Sequence, residues 1–382
     1  MNEQPATSRR SLASGICPAQ DIRRLIGDGV IHADRDIPES HIQPASLDLR
    51  LGTRAYRVRA SFLPGPGDRV IDKVTALGMH EIDLSQGAVL EKECVYIVPL
   101  VESVRLPDDV SGIANPKSST GRLDIFTRLI TDGSDGVSAE FDRIRRGYHG
   151  PLFAEICPRA FSVKVAVGTR LNQLRLRRGE PTSSDVAMRV LNDTVGLSDQ
   201  DMHGEAISGG VPFSVNLIGD DNDGLVGYRA KRHTGVIDLE KIAHYDQRDF
   251  WEPLYVRCGE GLILNPGDFY ILASKEAVRV PQDHAAEMVA YDTLVGEFRV
   301  HYAGFFDPGF GVFEDNRQGT RAVLEVRSHE VPFMIEDGQV VGRLVYERLI
   351  NVPDKIYGVG IGSNYARQAL TLAKQFKSPD AN

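Results

Sequence analysis

Apolar positions along the 382-residue chain fall in short runs rather than in long helical stripes. Stretches such as VYIVPLV at 95–101, SVKVAV at 162–167, FYILA at 269–273 and RLVYERL at 343–349 are bounded by Gly, Pro, Asp and Asn. With 37 Gly and 20 Pro, the pattern is one of many short strands joined by tight turns. Helical spacing is scarce; it predicts one helix over 18–28 (PAQDIRRLIGD) and another over 364–377. The expected class is all-β, a sandwich or barrel-like fold with a few short helices.

The two halves of the chain resemble each other. Residues 95–109 (VYIVPLVESVRLPDD) match 269–283 (FYILASKEAVRVPQD), with Pro107 and Pro281 offset by 174 positions. GPLFAE at 150–155 is echoed by TRAVLE at 320–325, and GTRLNQL at 168–174 by GQVVGRL at 338–344, both at an offset of 170. PASLDL at 44–49 is echoed by PFSVNL at 212–217, offset 168. Four matches in one order at a nearly constant offset indicate an internal duplication. The period is far longer than a solenoid repeat, so each copy is expected to be a whole domain. The boundary is expected in the polar stretch 179–210, giving domains 1–195 and 196–382.

Composition narrows the class. Apolar residues make up 42% and charged residues 25%, and the net charge is −9. A general basic surface for nucleic acid is therefore not expected. No apolar run is long enough to span a bilayer, and the N-terminal stretch is polar, without an apolar signal core. Cys17, Cys94, Cys157 and Cys258 lie far apart and form no C-x-x-C pair, which predicts neither a zinc knuckle nor a disulfide framework. A cytoplasmic protein without membrane or nucleic-acid partners is the expectation.

Two segments carry candidate chemistry. In the first copy, Lys117-Ser118-Ser119-Thr120-Gly121-Arg122 gathers hydroxyls and two cations in the manner of an anion site, although the P-loop pattern is absent. In the second copy, His301-Tyr302-Ala303-Gly304-Phe305-Phe306-Asp307-Pro308-Gly309 reads as a tight hairpin flanked by aromatics.

Together with Gln43-Pro44-Ala45-Ser46-Leu47-Asp48-Leu49, Gly168-x-Arg170-Leu171-x-Gln173-Leu174 and Val323-Leu324-Glu325, these motifs resemble those of dCTP deaminase in the dUTPase-like superfamily. The resemblance covers most of the chain, once per half. It implies two tandem distorted β jelly-roll (β-clip) domains, a pyrimidine nucleoside triphosphate substrate and a homo-oligomer with sites between subunits. It also implies deamination by a Glu and a water without zinc, with Mg²⁺ arriving on the triphosphate.

The copies depart from this pattern in opposite ways. The first keeps Ser118-Ser119-x-x-Arg122 and Glu155 but reads Ile144-Arg145-Arg146-Gly147-Tyr148-His149-Gly150 at the hairpin. The second keeps Asp307-Pro308-Gly309 and Glu325 but places Asp292 and Glu297 where the phosphate motif should be. A composite site follows, with phosphate binding from copy one and base recognition from copy two. By resemblance, Lys117, Ser118, Ser119 and Arg122 bind phosphates. His301, Asp307 and Gly309 meet the base or sugar, the carbonyl of Ala303 helps to hold the water, and Lys355 and Tyr357 belong to a C-terminal lid that continues through the Gly-rich 358–363. The spacing from Asp307 to Glu325 also suggests an inserted loop near 312–320.

Deamination without zinc needs a carboxylate that takes a proton from water and passes it to the departing ammonia; burial raises its pKa toward neutrality. Glu325, in the apolar run Ala322–Val326, is the expected base, and Glu155 is its duplicate. Two other readings stay open: a dUTP diphosphatase or a bifunctional enzyme giving dUMP, and a non-catalytic nucleotide-binding module.

Overall fold

The computed structural model describes residues 14–134, 136–181, 184–200, 207–219, 224–257, 259–290, 298–300, 304–312, 319–328, 330–358 and 370–378. His301, Ala303, Asp292, Glu297, Cys258, the 313–318 part of the expected insertion and the 359–363 part of the expected lid lie outside them. Among the described residues the chain is mostly β, with five short α-helices. No helix among them is long and apolar enough to cross a membrane.

Strand pairing repeats in the two halves. In the first, Val95–Arg105 and His149–Pro158 pair antiparallel at the centre of one sheet, and Val110–Pro116 pairs with Arg170–Arg178 in a second. In the second half, Phe269–Val278 pairs with Thr320–Ser328, and His284–Ala290 with Val340–Arg348. The central strands are covered on both faces, which is why LFAEIC and FYILA read as continuous apolar runs rather than as alternation. The jelly-roll expectation is refined here only to this repeated antiparallel arrangement.

The halves share a core. Leu123, Ile125, Phe161 and Val163 pack in one cluster with Phe250, Trp251, Phe269, Ile271 and Phe376. Phe161 meets Trp251 edge-on at 5.3 Å and Phe250 at 5.8 Å, a favoured aromatic geometry. A parallel pairing of Val163–Val165 with Ile237–Asp238 adds a backbone seam between the halves.

The N-terminal helix forms as expected, over Ala19–Gly27. Of the C-terminal one, residues 364–369 lie outside the described residues, and 370–378 form turns and a single bridge between Tyr245 and Phe376 instead of helix. Leu372, Ala373 and Phe376 bury themselves in the shared core, and that apolar spacing is what imitates a helix. The polar stretch expected to be a boundary loop contains the helix Asp185–Val195, capped by Ser184 Oγ, which accepts from Ala187 N at 3.2 Å.

Candidate functional site

The first-copy anion motif is built on a strand end. Val110–Pro116 leads into Lys117, and the chain turns through the one-turn helix Ser118–Gly121. Lys117 N donates to Leu171 O at 2.8 Å, and Thr120 Oγ1 donates to the same carbonyl at 3.0 Å. These bonds seat the turn on the strand Arg170–Arg178. Ser118 is exposed, Ser119 half-buried and Arg122 buried. Arg122 Nη1 donates to Thr371 O at 2.6 Å, so the C-terminal segment folds back onto the motif.

Asp48 underlies this cation cluster. Its buried carboxylate accepts from Lys117 Nζ at 2.5 Å and from Arg170 Nη1 at 3.3 Å. Lys374 joins from the C-terminal segment: burial pulls its ammonium below the usual lysine range, and the charges of Lys117 and Arg170 pull it further. Three cations, Lys117, Arg170 and Lys374, thus gather around one carboxylate, while Arg122, at the end of the motif, turns to the C-terminal segment and Glu325. Asp48 and Arg170 lie in motifs legible in the sequence, but Lys374 carries no such signal.

The second-copy hairpin faces this cluster. Phe305–Phe306 leads into Asp307, and the turn closes with Phe310 N donating to Asp307 O at 3.0 Å. Gly309 takes φ 88°, a conformation that strains any other residue. Tyr357 N donates to Pro308 O at 2.8 Å, and Lys355 Nζ to Ile42 O at 2.5 Å, so residues 355–357 lie over the turn. Burial pushes the Asp307 carboxyl up to about 6, against the lowering charges of Arg175, Lys117 and Lys355 and with Asp48 raising it. The charge of Lys117, in copy one, therefore acts on Asp307, in copy two.

Arg175 was missed by sequence reading. It is fully buried, reaches from the first half into the second, and lies over the Phe305 ring at 3.9 Å. Its Nη1 donates to Ala286 O at 3.0 Å, and its Nη2 stands 3.7 Å from Asp307 Oδ1.

Glu325 lies on Thr320–Ser328 opposite Ile271 and is 6% exposed. A Cβ at Gly121 would come within 2.8 Å of Glu325 Oε1, so the carboxylate rests directly on the end of the anion motif. Burial raises its pKa to about 8; Arg122 opposes the shift and Asp124 adds to it. Such a group exchanges protons near neutral pH, as a general acid–base requires.

Its duplicate is placed differently. Glu155 is buried, and both Nε and Nη2 of Arg128 donate to its Oε1, at 3.1 and 2.5 Å. The Arg128 guanidinium also lies over the rings of Phe141 at 3.4 Å and Phe126 at 4.7 Å. The structure joins Glu155 to this cation rather than to the 117–122 motif.

The chain matches two family models: the 2'-deoxycytidine 5'-triphosphate deaminase N-terminal domain over residues 13–180 and the corresponding C-terminal domain over 184–376. A crystal structure of 2'-deoxycytidine 5'-triphosphate deaminase from Agrobacterium tumefaciens superimposes with a TM-score of 0.85 and 54% identity, over 91% of this chain and 99% of that one. A relative from Beutenbergia cavernae, described as "dCTP deaminase, dUMP-forming", is 30% identical over 182 residues, 45% of this chain and 90% of the relative. One of the same description from Corynebacterium glutamicum is 28% identical over 183 residues, 45% of this chain and 91% of the relative. Models that together match both halves, and a solved structure alike over nearly its full length, place this chain in the 2'-deoxycytidine 5'-triphosphate deaminase family.

Proposed function

We propose that this protein deaminates dCTP to dUTP and ammonia at a site shared by its two halves, 1–195 and 196–382, each a dUTPase-like domain. The single observation that carries the reading is Glu325 of the second half lying against Gly121 and Arg122 of the first, with its proton affinity raised to about 8. Lys117, Ser118, Ser119 and Arg122 hold the triphosphate, which enters as its Mg²⁺ complex, the ion keeping mostly water and phosphate ligands. Asp307 and the Gly309 turn face the nucleoside, and Lys355 and Tyr357 close over it.

Glu325 carboxylate takes a proton from water as the oxygen adds to C4 of cytosine. The proton passes to N3, and the tetrahedral carbon then expels the amino group, which leaves as ammonia after taking a further proton from the water-derived hydroxyl by way of Glu325. Water supplies the oxygen, and its two hydrogens end on N3 and on ammonia. A carboxylate suits the shuttle because its pKa lies near the working pH.

A second reading follows from the relatives described as dUMP-forming: the same site goes on to release dUMP and pyrophosphate. In that reading Asp307, whose carboxyl burial raises to about 6, orients a second water. Incubation with dCTP and Mg²⁺, following ammonia and nucleotides by chromatography, separates the readings. dUTP with ammonia supports the first, dUMP with pyrophosphate the second. Binding without turnover refutes both in favour of a nucleotide-binding module.

A further inference from the structure

Two residues beyond Arg122, Asp124 adopts φ 54°, in the left-handed region. A non-glycine residue holds this conformation only where its surroundings over-determine it. Here Asp124 O accepts from Arg159 N at 2.8 Å and Asp124 N donates to Gly121 O at 2.8 Å. The side chain is fully buried and takes the guanidinium of Arg327, 203 residues away. Arg327 Nε donates to both carboxylate oxygens, at 3.0 and 3.3 Å, and Nη2 donates as well. Its remaining arm, Nη1, donates to Gly267 O at 2.6 Å.

Arg327 is two residues from Glu325 on the strand Thr320–Ser328, so both side chains leave the same face. Asp124 ends the turn on which the Glu325 carboxylate rests. In the first half the duplicated glutamate, Glu155, is bonded directly by an arginine, Arg128, which stands opposite it on the neighbouring strand. In the second half the neighbouring arginine is engaged by an aspartate from the other copy.

We propose that Asp124 and Arg327 form a positioning pair for Glu325: they pin the strand bearing the base to the anion-binding turn and hold the guanidinium away from the base. This rests on Glu325 being the base of the proposed reaction. The charged groups acting on Glu325 are Arg122 and Asp124 from the turn; Arg327 lies two residues further along its own strand, Ile271 stands opposite Glu325, and the strand Phe298–Val300 pairs with that strand at Arg299–Arg327. Asp124 raises the proton affinity of Glu325 through its own charge, and it engages the guanidinium that leaves the same strand face as Glu325.

The test uses the full-length protein with Asp124→Asn and, because a half-broken buried pair endangers folding, the apolar double variant Asp124→Leu/Arg327→Met. The Glu325 carboxyl is titrated by ¹³C NMR without nucleotide, alongside dCTP turnover and dCTP affinity. In Asp124→Asn the midpoint is expected to fall by at least one pH unit and kcat at least tenfold, with dCTP affinity within about threefold. In the double variant kcat falls similarly, while the midpoint lies between those of Asp124→Asn and the parent, because no loose guanidinium is left. An unmoved midpoint, or parental kcat in the double variant, overturns the proposal. A moved midpoint together with full turnover in Glu325→Gln instead leaves the positioning intact and overturns the assignment of the base.

Discussion

Replacing Glu325 by Gln should stabilise this protein at neutral and alkaline pH while abolishing turnover. The unfolded carboxyl titrates near 4.5 and the folded one near 8. The folded state therefore prefers the protonated form. Between the two values the folded state binds more protons than the unfolded one, so this group's contribution to stability is fully present below about 4.5 and is lost as pH rises through 8. A gap of about 3.5 pH units corresponds to roughly 5 kcal/mol lost in total, with roughly 3 kcal/mol already lost by pH 7. Gln has nearly the same shape and no charge, so its stability should not carry this slope. The assay is thermal unfolding of parent and Glu325→Gln between pH 5 and 9, beside dCTP turnover. The curves should meet near pH 5 and diverge by several degrees near pH 8.5, the variant being the more stable. Parallel curves across the range would show that burial does not raise this carboxyl and would remove the physical basis for its role as base.

Three further outcomes follow from the same geometry. Gly121→Ala puts a methyl group 2.8 Å from Glu325 Oε1, and turnover should fall on the order of a hundredfold while dCTP affinity, measured by calorimetry, changes little. Glu155→Gln leaves the guanidinium of Arg128 without its buried anion; it should cost about 3–5 kcal/mol of stability in denaturant titrations yet keep turnover within about threefold. Gly309→Ala forces φ 88° on a residue with a side chain and brings its Cβ to 3.2 Å from Ile356 Cβ. It should cost roughly 1–2 kcal/mol and raise KM for dCTP through the displaced turn, which steady-state kinetics would show.

Much of the site can be read from local order along the chain. The Lys117–Arg122 run, the Asp307-Pro308-Gly309 turn and Glu325 in its apolar strand are each contiguous, and turn chemistry and anion chemistry show in contiguous residues. The duplication shows as well, because repeated strands keep their apolar positions. That the two copies lost opposite motifs was enough to expect a shared site, and the contact of Glu325 with Gly121 lies across that boundary within a single chain.

Other features became visible only when the halves were packed together. Arg175 and Arg327 alternate with apolar neighbours like ordinary solvent-facing strand residues, and both are buried because the other copy covers that face. Lys374 stands in a C-terminal segment whose apolar spacing imitates a helix but which is drawn into the shared core as an irregular strap. The difference between Glu325 and Glu155 is likewise tertiary: the duplicated strands look alike in sequence, yet one glutamate meets an arginine and the other the backbone of a glycine turn. Sequence determines which residues carry charge and which strands they ride on, because propensity and alternation act over a few neighbours. Which charges lose water, and which partner each one meets, depends on contacts between residues some 200 positions apart, such as Asp124 with Arg327, and desolvation acts through those contacts alone.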